Sequence, residues 1–156
     1  MSKSLKRVAR RLEEIGLETE IVEVGQARTA AEAASSLGCK VGQIANSIIA
    51  LGQDSGQVEL FLTSGANRVD FDKASKLAGE PLGKADAAII RAQTGFASGG
   101  VAPVGHLNPL PAWIDPHLMT FERIFAAAGT PRHLFGLTPQ ERCEISGGAW
   151  GAFTSE

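Results

Sequence analysis

The sequence predicts a single α+β domain over residues 1–156, in which helices pack on a mixed β-sheet. Some segments of the chain have apolar residues at helical spacing. Between them lie segments in which apolar and polar residues alternate as in a β-strand. Residues 44–51 and 57–63 flank the turn sequence QDSG like the two arms of a β-hairpin, which argues against a purely parallel sheet. A chain of 156 residues is long enough to bury one core.

The N-terminal part predicts helix, strand and helix. A first helix is predicted from its N-cap Ser4 to Gly16, because apolar residues recur between them at helical spacing. Residues 18–24 alternate like a half-buried strand. A second helix is predicted from a capping box at Thr29 to Gly38.

Two helices are predicted after the hairpin. One begins at Asp70 or Asp72 and ends at Gly79, and the other covers residues 85–94 and leads to Gly95.

The C-terminal third is less regular. Residues 111–115 form a short apolar piece, and residues 120–129 fit both helical and alternating patterns. A helix with Thr138 as N-cap is predicted within 138–148, and the chain closes on a strand-like segment at 148–153.

Composition excludes several classes of function. The chain is 44% hydrophobic and 21% charged, and no apolar run approaches the roughly 20 residues that span a bilayer. A net charge of −2 argues against binding duplex DNA, which needs a basic surface, but it permits contact with the end of a nucleic acid. The basic N-terminus is interrupted by acidic residues and is no secretory signal, so we expect a cytoplasmic protein without membrane contact.

One basic cluster lies in the first helix, and it has two interpretations. It is either the solvated face of an amphipathic helix or a phosphate contact. Its members are Lys3, Lys6, Arg7, Arg10 and Arg11.

Familiar catalytic and metal-binding motifs are absent from the sequence. The chain has no P-loop, no dinucleotide-binding GxGxxG and no GxSxG elbow. The histidines 106, 117 and 133 and the cysteines 39 and 143 show no metal-ligand or redox spacing. We therefore predict that the protein binds neither a metal ion nor a cofactor. We also predict that its cysteines are reduced thiols.

The segment from Gly95 to His106, GFASGGVAPVGH, is the most unusual stretch of the sequence. Its glycines allow backbone N–H groups to approach a ligand, where they can stabilise an oxyanion, and Pro103 restrains the same backbone. A plain structural loop is the alternative.

The ordered segments TAAEAASSLG, QIANSIIAL, LTSGANRVD, GFASGGVAPVGH and AAAGTPRHLFGLTPQE resemble the YbaK/ProX family of aminoacyl-tRNA editing domains. This family includes the editing insertion of bacterial prolyl-tRNA synthetases. The resemblance implies a mixed, curved, partly barrel-like β-sheet flanked by helices. It also implies trans hydrolysis of the ester between a wrong amino acid and the 3′ end of a tRNA, with an aminoacyl-tRNA synthetase as a further partner.

The resemblance also implies the site residues. The backbone of Gly99, Gly100 and Val101 is expected to position the substrate carbonyl and stabilise charge on it. Expected substrate-binding residues are Thr29, Ser47, Gly65, Asn67, Arg68, Pro103, Gly105 and His106. For some of these a structural function is an equal alternative: a helix cap for Thr29, and bracing of the loop for His106. Arg68 is expected to contact phosphate or ribose.

Asn46 departs from the family pattern. It stands in Ile-Ala-Asn-Ser-Ile, where the family has a lysine regarded as central to activity. Asparagine offers donors and an acceptor but no charge. Lys40 and Lys84 are candidates for the missing charge. Besides a deacylase with an altered site, two alternatives therefore stay open: a non-catalytic binder of an aminoacyl-adenosine-like ligand, and an interaction module that docks a synthetase or tRNA.

Overall fold

A computed structural model describes residues 2–25, 29–138, 140–141 and 148–155. Within these ranges the chain forms four α-helices and eight strands, and the strands belong to one mixed sheet. The α+β fold with helices beside a mixed sheet is confirmed. The assignment of all 156 residues to one domain stays a prediction.

The helices begin where the sequence offers a capping side chain. They are α1 (Lys3–Glu14), α2 (Ala30–Leu37), α3 (Phe71–Ala78) and α4 (Ala87–Thr94). The predicted caps at Thr29 and Asp70 are confirmed, because their side-chain oxygens accept backbone N–H groups of the first turn. The predicted cap Ser4 is wrong: α1 begins earlier, and Ser2 Oγ accepts the N–H of Leu5 at 3.1 Å.

The strands run in the order β1-β7-β6-β2-β3-β5-β8, with β4 paired to the side of β2 that faces away from β3. They are β1 (Ile21–Glu23), β2 (Ile44–Gly52), β3 (Val58–Ser64), β4 (Leu82–Lys84), β5 (Ala112–Ile114), β6 (Ile124–Ala127), β7 (His133–Leu137) and β8 (Ala149–Trp150). Short 3-10 turns cover Val41–Gln43 and Pro116–Thr120. Pairs β2/β6, β3/β5 and β5/β8 are parallel, and the other pairs are antiparallel. The described strands do not close into a barrel.

The central hairpin of β2 and β3 is confirmed, and the ambiguous segment 120–129 contains strand β6. Strands β4 and β7 were not predicted. β4 is only three residues long, and four consecutive residues of β7, 134–137, are buried without alternation. At the predicted C-terminal helix, Thr138 and Glu141 exchange hydrogen bonds as in a capping box. Residues 142–147, which include Cys143, lie outside the described part of the chain.

The main hydrophobic core lies where α1 and the glycine-rich segment cover one face of the sheet. Leu5, Val8 and Leu12 of α1 are buried there together with Phe96 and Phe135. Because the glycine-rich segment belongs to this core through Val101, Ala102 and Val104, its backbone is packed against the sheet and held beside β2.

Candidate active site

A cavity of about 840 Å³ lies along β2. Its walls come from β2, β4, the starts of α2 and α3, the glycine-rich segment and the turn at Thr130–Pro131. This volume is in the range of sites that bind small molecules.

The cavity opens at an interruption in the pairing of β2. On the side away from β3, β2 pairs with β6 only at Ile44 and Ala45, and with β4 only at Ala50–Gly52. Residues 46–49 lie between these two pairings. For this reason residues from both faces of the sheet, such as Asn46 and Ser47, can line one cavity.

The backbone of Ser47 points into this interval. Gly65 donates its N–H to the carbonyl of Ile44, and Gly52 donates to Gln57, so the even-numbered residues of β2 direct their hydrogen bonds toward β3. The odd-numbered residues direct theirs to the other side. Backbone polar groups of β2 are therefore presented to whatever enters the cavity.

Five of the residues predicted from sequence come together in the cavity lining. They are Thr29, Asn46, Ser47, Gly99 and Val101. They are contributed by the start of α2, by β2 and by the glycine-rich segment, which are far apart in sequence. The fold thus gathers Asn46 of β2 and the glycine-rich backbone around one space.

Three predicted residues after β3 do not line this cavity. Gly65 packs so closely on the carbonyl of Val41 that a Cβ would lie 2.5 Å from it. Asn67 Nδ2 donates to Asp115 Oδ2 at 3.0 Å, and Asp115 also accepts the Ser64 N–H, which fixes the end of β3. Arg68 is exposed. Its phosphate or ribose contact stays a prediction.

Four predicted residues of the glycine-rich segment lie behind the cavity lining. Gly100 and Pro103 are buried, and Gly105 adopts φ +79°. His106 Nε2 donates to the carbonyl of Ala102 at 2.7 Å, and its ring packs edge-on against Phe96. In this position His106 braces the loop.

Two neighbouring glycines of the loop are required for different reasons. Gly99 has φ +86°, and a Cβ there would meet open space. A Cβ on Gly100 would lie 2.9 Å from Thr130 Cα, so this glycine allows the loop to approach the Thr130–Pro131 turn. The Gly100 N–H donates to Ala97 O in a turn, whereas the N–H groups of Gly99 and Val101 have no partner among the described residues.

The electrostatics of the cavity are simple. Lys84 is the only charged side chain among the described residues of its lining, and Lys40 lies outside it. The same described lining contains no imidazole, carboxylate or thiol.

Burial lowers the pKa of His106. The positive charge of Arg7 lowers this pKa further, while the hydrogen bond to Ala102 opposes the shift. Because the carbonyl can only accept, Nε2 of His106 carries a proton.

The hydroxyl of Ser47 is the one buried side-chain polar atom without a hydrogen-bond partner in the described ranges. An unpaired buried polar group costs about 1–3 kcal/mol unless a ligand or water satisfies it. Ser47 therefore offers an unused donor and acceptor beside Asn46.

Across 2–25, 29–138, 140–141 and 148–155 no group of three or more His, Cys, Asp or Glu side chains is placed to bind a metal ion. None of the helices in these ranges is long and apolar enough to span a bilayer.

Sequence reasoning missed most of the lining residues, among them Phe71, Thr130 and Pro131. Phe71 begins α3, and Thr130 and Pro131 form the turn between β6 and β7. Each belongs to a segment the sequence offers as a helix start or a plain turn, and only the tertiary fold brings them to β2. An aromatic residue directly after the cap Asp70, on a helix start that is otherwise polar, was the available signal.

Comparison with known proteins agrees with this geometry. Residues 24–144 match the model of the aminoacyl-tRNA editing domain. A crystal structure described as a "putative trans-editing enzyme for prolyl tRNA synthetase" is 43% identical, with a TM-score of 0.93, and the match covers 100% of this chain and 99% of that one.

Two curated relatives are more distant. "Uncharacterized protein YwhH" of Bacillus subtilis is 28% identical over 92% of this chain and 91% of its own. "Putative Cys-tRNA(Pro)/Cys-tRNA(Cys) deacylase EbsC" of Enterococcus faecalis is 25% identical over 82% of this chain and 78% of its own. Because the family model covers most of the chain, and because the solved trans-editing structure has the same fold, the chain belongs to the aminoacyl-tRNA editing domain family, the deacylases of translation quality control.

Proposed function

We propose that this protein hydrolyses mischarged aminoacyl-tRNA in trans and that the cavity along β2 receives the aminoacylated 3′ end. The observation that carries the proposal is the pair of free N–H groups at Gly99 and Val101. Both residues line the cavity, and neither amide has a partner among the described residues. Backbone donors held in place in this way suit an oxygen on which negative charge develops.

The reaction needs no covalent intermediate. Water adds to the ester carbonyl carbon. The carbonyl oxygen becomes an oxyanion, which the amides of Gly99 and Val101 bind. The bond between the carbonyl carbon and the ribose oxygen then breaks, the ribose oxygen takes one proton of the water, the other proton passes to solvent, and the amino acid leaves as a carboxylate. The products are the free amino acid and a tRNA with both ribose hydroxyls restored.

The base for this step comes from the substrate or the solvent. The described lining offers no imidazole, carboxylate or thiol to accept the proton of water. The ribose hydroxyl next to the ester is the nearest group of the substrate that can position or relay this proton. Ser47 Oγ, which is buried and has no partner within the described ranges, supports binding of the substrate by an additional hydrogen bond.

Asn46 changes the energetics of this site. It lines the cavity and is half-buried, and the family resemblance implies a lysine at this position. It can hydrogen-bond a hydroxyl, amine or carbonyl of the substrate, but it contributes no charge. We expect slower or more selective hydrolysis than a lysine would give. Non-catalytic binding of an aminoacyl-adenosine-like ligand is the second candidate, favoured by this substitution.

Two measurements separate these functions. Purified protein is mixed with a panel of mischarged tRNAs that includes alanyl- and cysteinyl-tRNA, and release of the amino acid is followed. Hydrolysis of at least one member above the spontaneous rate supports the deacylase. If no member is hydrolysed, a thermal shift with a non-hydrolysable aminoacyl-adenosine analogue supports the binder, and its absence contradicts both.

A further inference from the structure

Lys84 places an isolated positive charge at the cavity. It is exposed, it is the only charged side chain among the described lining residues, and it has no hydrogen-bond or ion-pair partner within them. A lysine that is neither paired nor buried has its full charge available for an anion.

Phe71 adds an exposed aromatic ring to the same cavity. The Phe71 side chain has an exposed fraction of 36%. Among the large hydrophobic side chains that are exposed in the described ranges, Phe71 is the one that lines the cavity. Its backbone is fixed, because Asp70 caps α3 through the N–H groups of Asp72 and Lys73.

The fold holds these two residues in a defined relation. Lys84 lies opposite Ala50 in the β2/β4 pair, so its side chain is on the same face of the sheet as Ala50, Ile48 and Asn46. Strand β4 is tied to α3 by a hydrogen bond from the Leu82 N–H to Ser75 Oγ at 3.0 Å. Movement of either element relative to the other is therefore restricted.

An exposed aromatic ring and an unpaired lysine in the lining of one cavity match the chemistry of a single-stranded nucleotide. Bases of unpaired RNA ends stack on aromatic side chains, and their phosphates pair with lysine or arginine. We propose that Phe71 and Lys84 form a nucleotide subsite of the cavity, in which the phenyl ring stacks on a base of the tRNA 3′ end and the ammonium binds a phosphate of the same end. The proposal rests on the proposed function for bringing a tRNA end to this cavity.

This subsite accounts for the charge that Asn46 lacks. Asn46 and Lys84 lie on the same face of the sheet. Lys84 pairs with Ala50, which is four residues along β2 from Asn46. The subsite thus places a cation on β4, whereas Asn46 on β2 carries none. Binding of the nucleotide can be retained while charge at the reacting carbonyl is lost.

The test is titration of the full chain with a 5′-phosphorylated CCA trinucleotide, followed by NMR at several salt concentrations. Lys84→Met should weaken binding about two- to fivefold and make the slope of log affinity against log salt shallower by about 0.7. Phe71→Ala should weaken it about 5- to 150-fold, and Phe71→Trp should preserve it. Lys76→Met and Trp150→Ala serve as controls, since each removes an equally exposed side chain outside the cavity lining.

Deacylation kinetics provide the second readout. Loss of the subsite should raise KM for mischarged tRNA more than it lowers kcat, because neither residue touches the ester. Trinucleotide affinity, salt slope and KM that do not change in Lys84→Met and Phe71→Ala would overturn the subsite, as would absence of CCA binding by the unmodified protein. Binding that depends on both residues in a protein without hydrolytic activity would retain the subsite and contradict the proposed function alone.

Discussion

Arg7 of α1 donates from Nε to the carbonyl oxygen of Gly105 at 2.7 Å, across 98 positions of sequence. Its Nη2 donates to the carbonyl of Gly95 at 2.9 Å, and its guanidinium lies 4.5 Å from the centre of the Phe96 ring. One side chain therefore holds both ends of the glycine-rich loop. The free amides of Gly99 and Val101 lie between these two points.

Arg7→Met should loosen the loop without unfolding the protein. Hydrogen bonds to a charged donor contribute about 1.5–3 kcal/mol each, and Arg7 is half-buried, so we expect the free energy of unfolding to fall by about 2 kcal/mol. Activity should fall further than stability explains, because the amides of Gly99 and Val101, the proposed oxyanion donors, lose their fixed position. Chemical denaturation and single-turnover deacylation measure the two effects.

Arg10→Met is the control for this change, since Arg10 is exposed on the same helix. It should leave both quantities near their original values. If Arg7→Met lowers stability while the rate of deacylation is unchanged, the contact serves the fold alone.

Acid should destabilise the protein through His106. Burial holds the pKa of His106 below the ordinary value of about 6.5, so the unfolded chain takes up a proton first as pH falls. The stability contributed by neutral His106 is complete above about pH 6.5 and is lost as pH decreases through the lower folded pKa. His106→Gln, which can still donate to the Ala102 carbonyl, should lose less stability over this range.

Denaturation midpoints measured between pH 7.5 and 5 check this expectation. His117→Gln is the control, because His117 is exposed. A pH profile of His106→Gln that superimposes on that of the unmodified protein would remove His106 as the titrating group.

Adding charge at position 46 should raise activity. Asn46→Lys places a charged donor in the cavity lining, and a charge-assisted hydrogen bond is worth roughly 1.5–3 kcal/mol, or about 10- to 150-fold in rate. Deacylation of alanyl- and cysteinyl-tRNA by both forms measures the gain, and Asn46→Met shows the effect of losing the amide without adding charge. Fast hydrolysis by the unmodified protein with no gain from lysine would show that the charge was not lost at this position.

Local signals in the sequence were sufficient for much of the fold. The caps Thr29 and Asp70 act through backbone groups two or three residues away, so the sequence next to each helix contains all the information needed. The hairpin is equally local, because the turn joins two strands that pair with each other. Strand β7 could not be found this way, since its buried residues become a strand only through pairing with β1 and β6.

The site depended on information of another kind. That Asn46 and Gly99 share a cavity followed from the family resemblance, and no local pattern indicates it. The basic residues of α1 suggested a solvated face or a phosphate contact. Arg7 instead donates to loop carbonyls almost a hundred residues away. A charge pattern identifies which face of a helix is polar and leaves open what covers that face.

The most direct test of backbone oxyanion binding is the single-turnover rate of deacylation by the unmodified protein, Gly99→Val and Gly56→Val. Both glycines have positive φ and open space at the position of Cβ, so valine strains both backbones by a similar amount, about 1–2 kcal/mol. Only Gly99 lines the cavity. We expect Gly99→Val to abolish hydrolysis while it retains a cooperative unfolding transition, and Gly56→Val to remain active. Full activity of a folded Gly99→Val protein would contradict catalysis by the glycine-rich backbone.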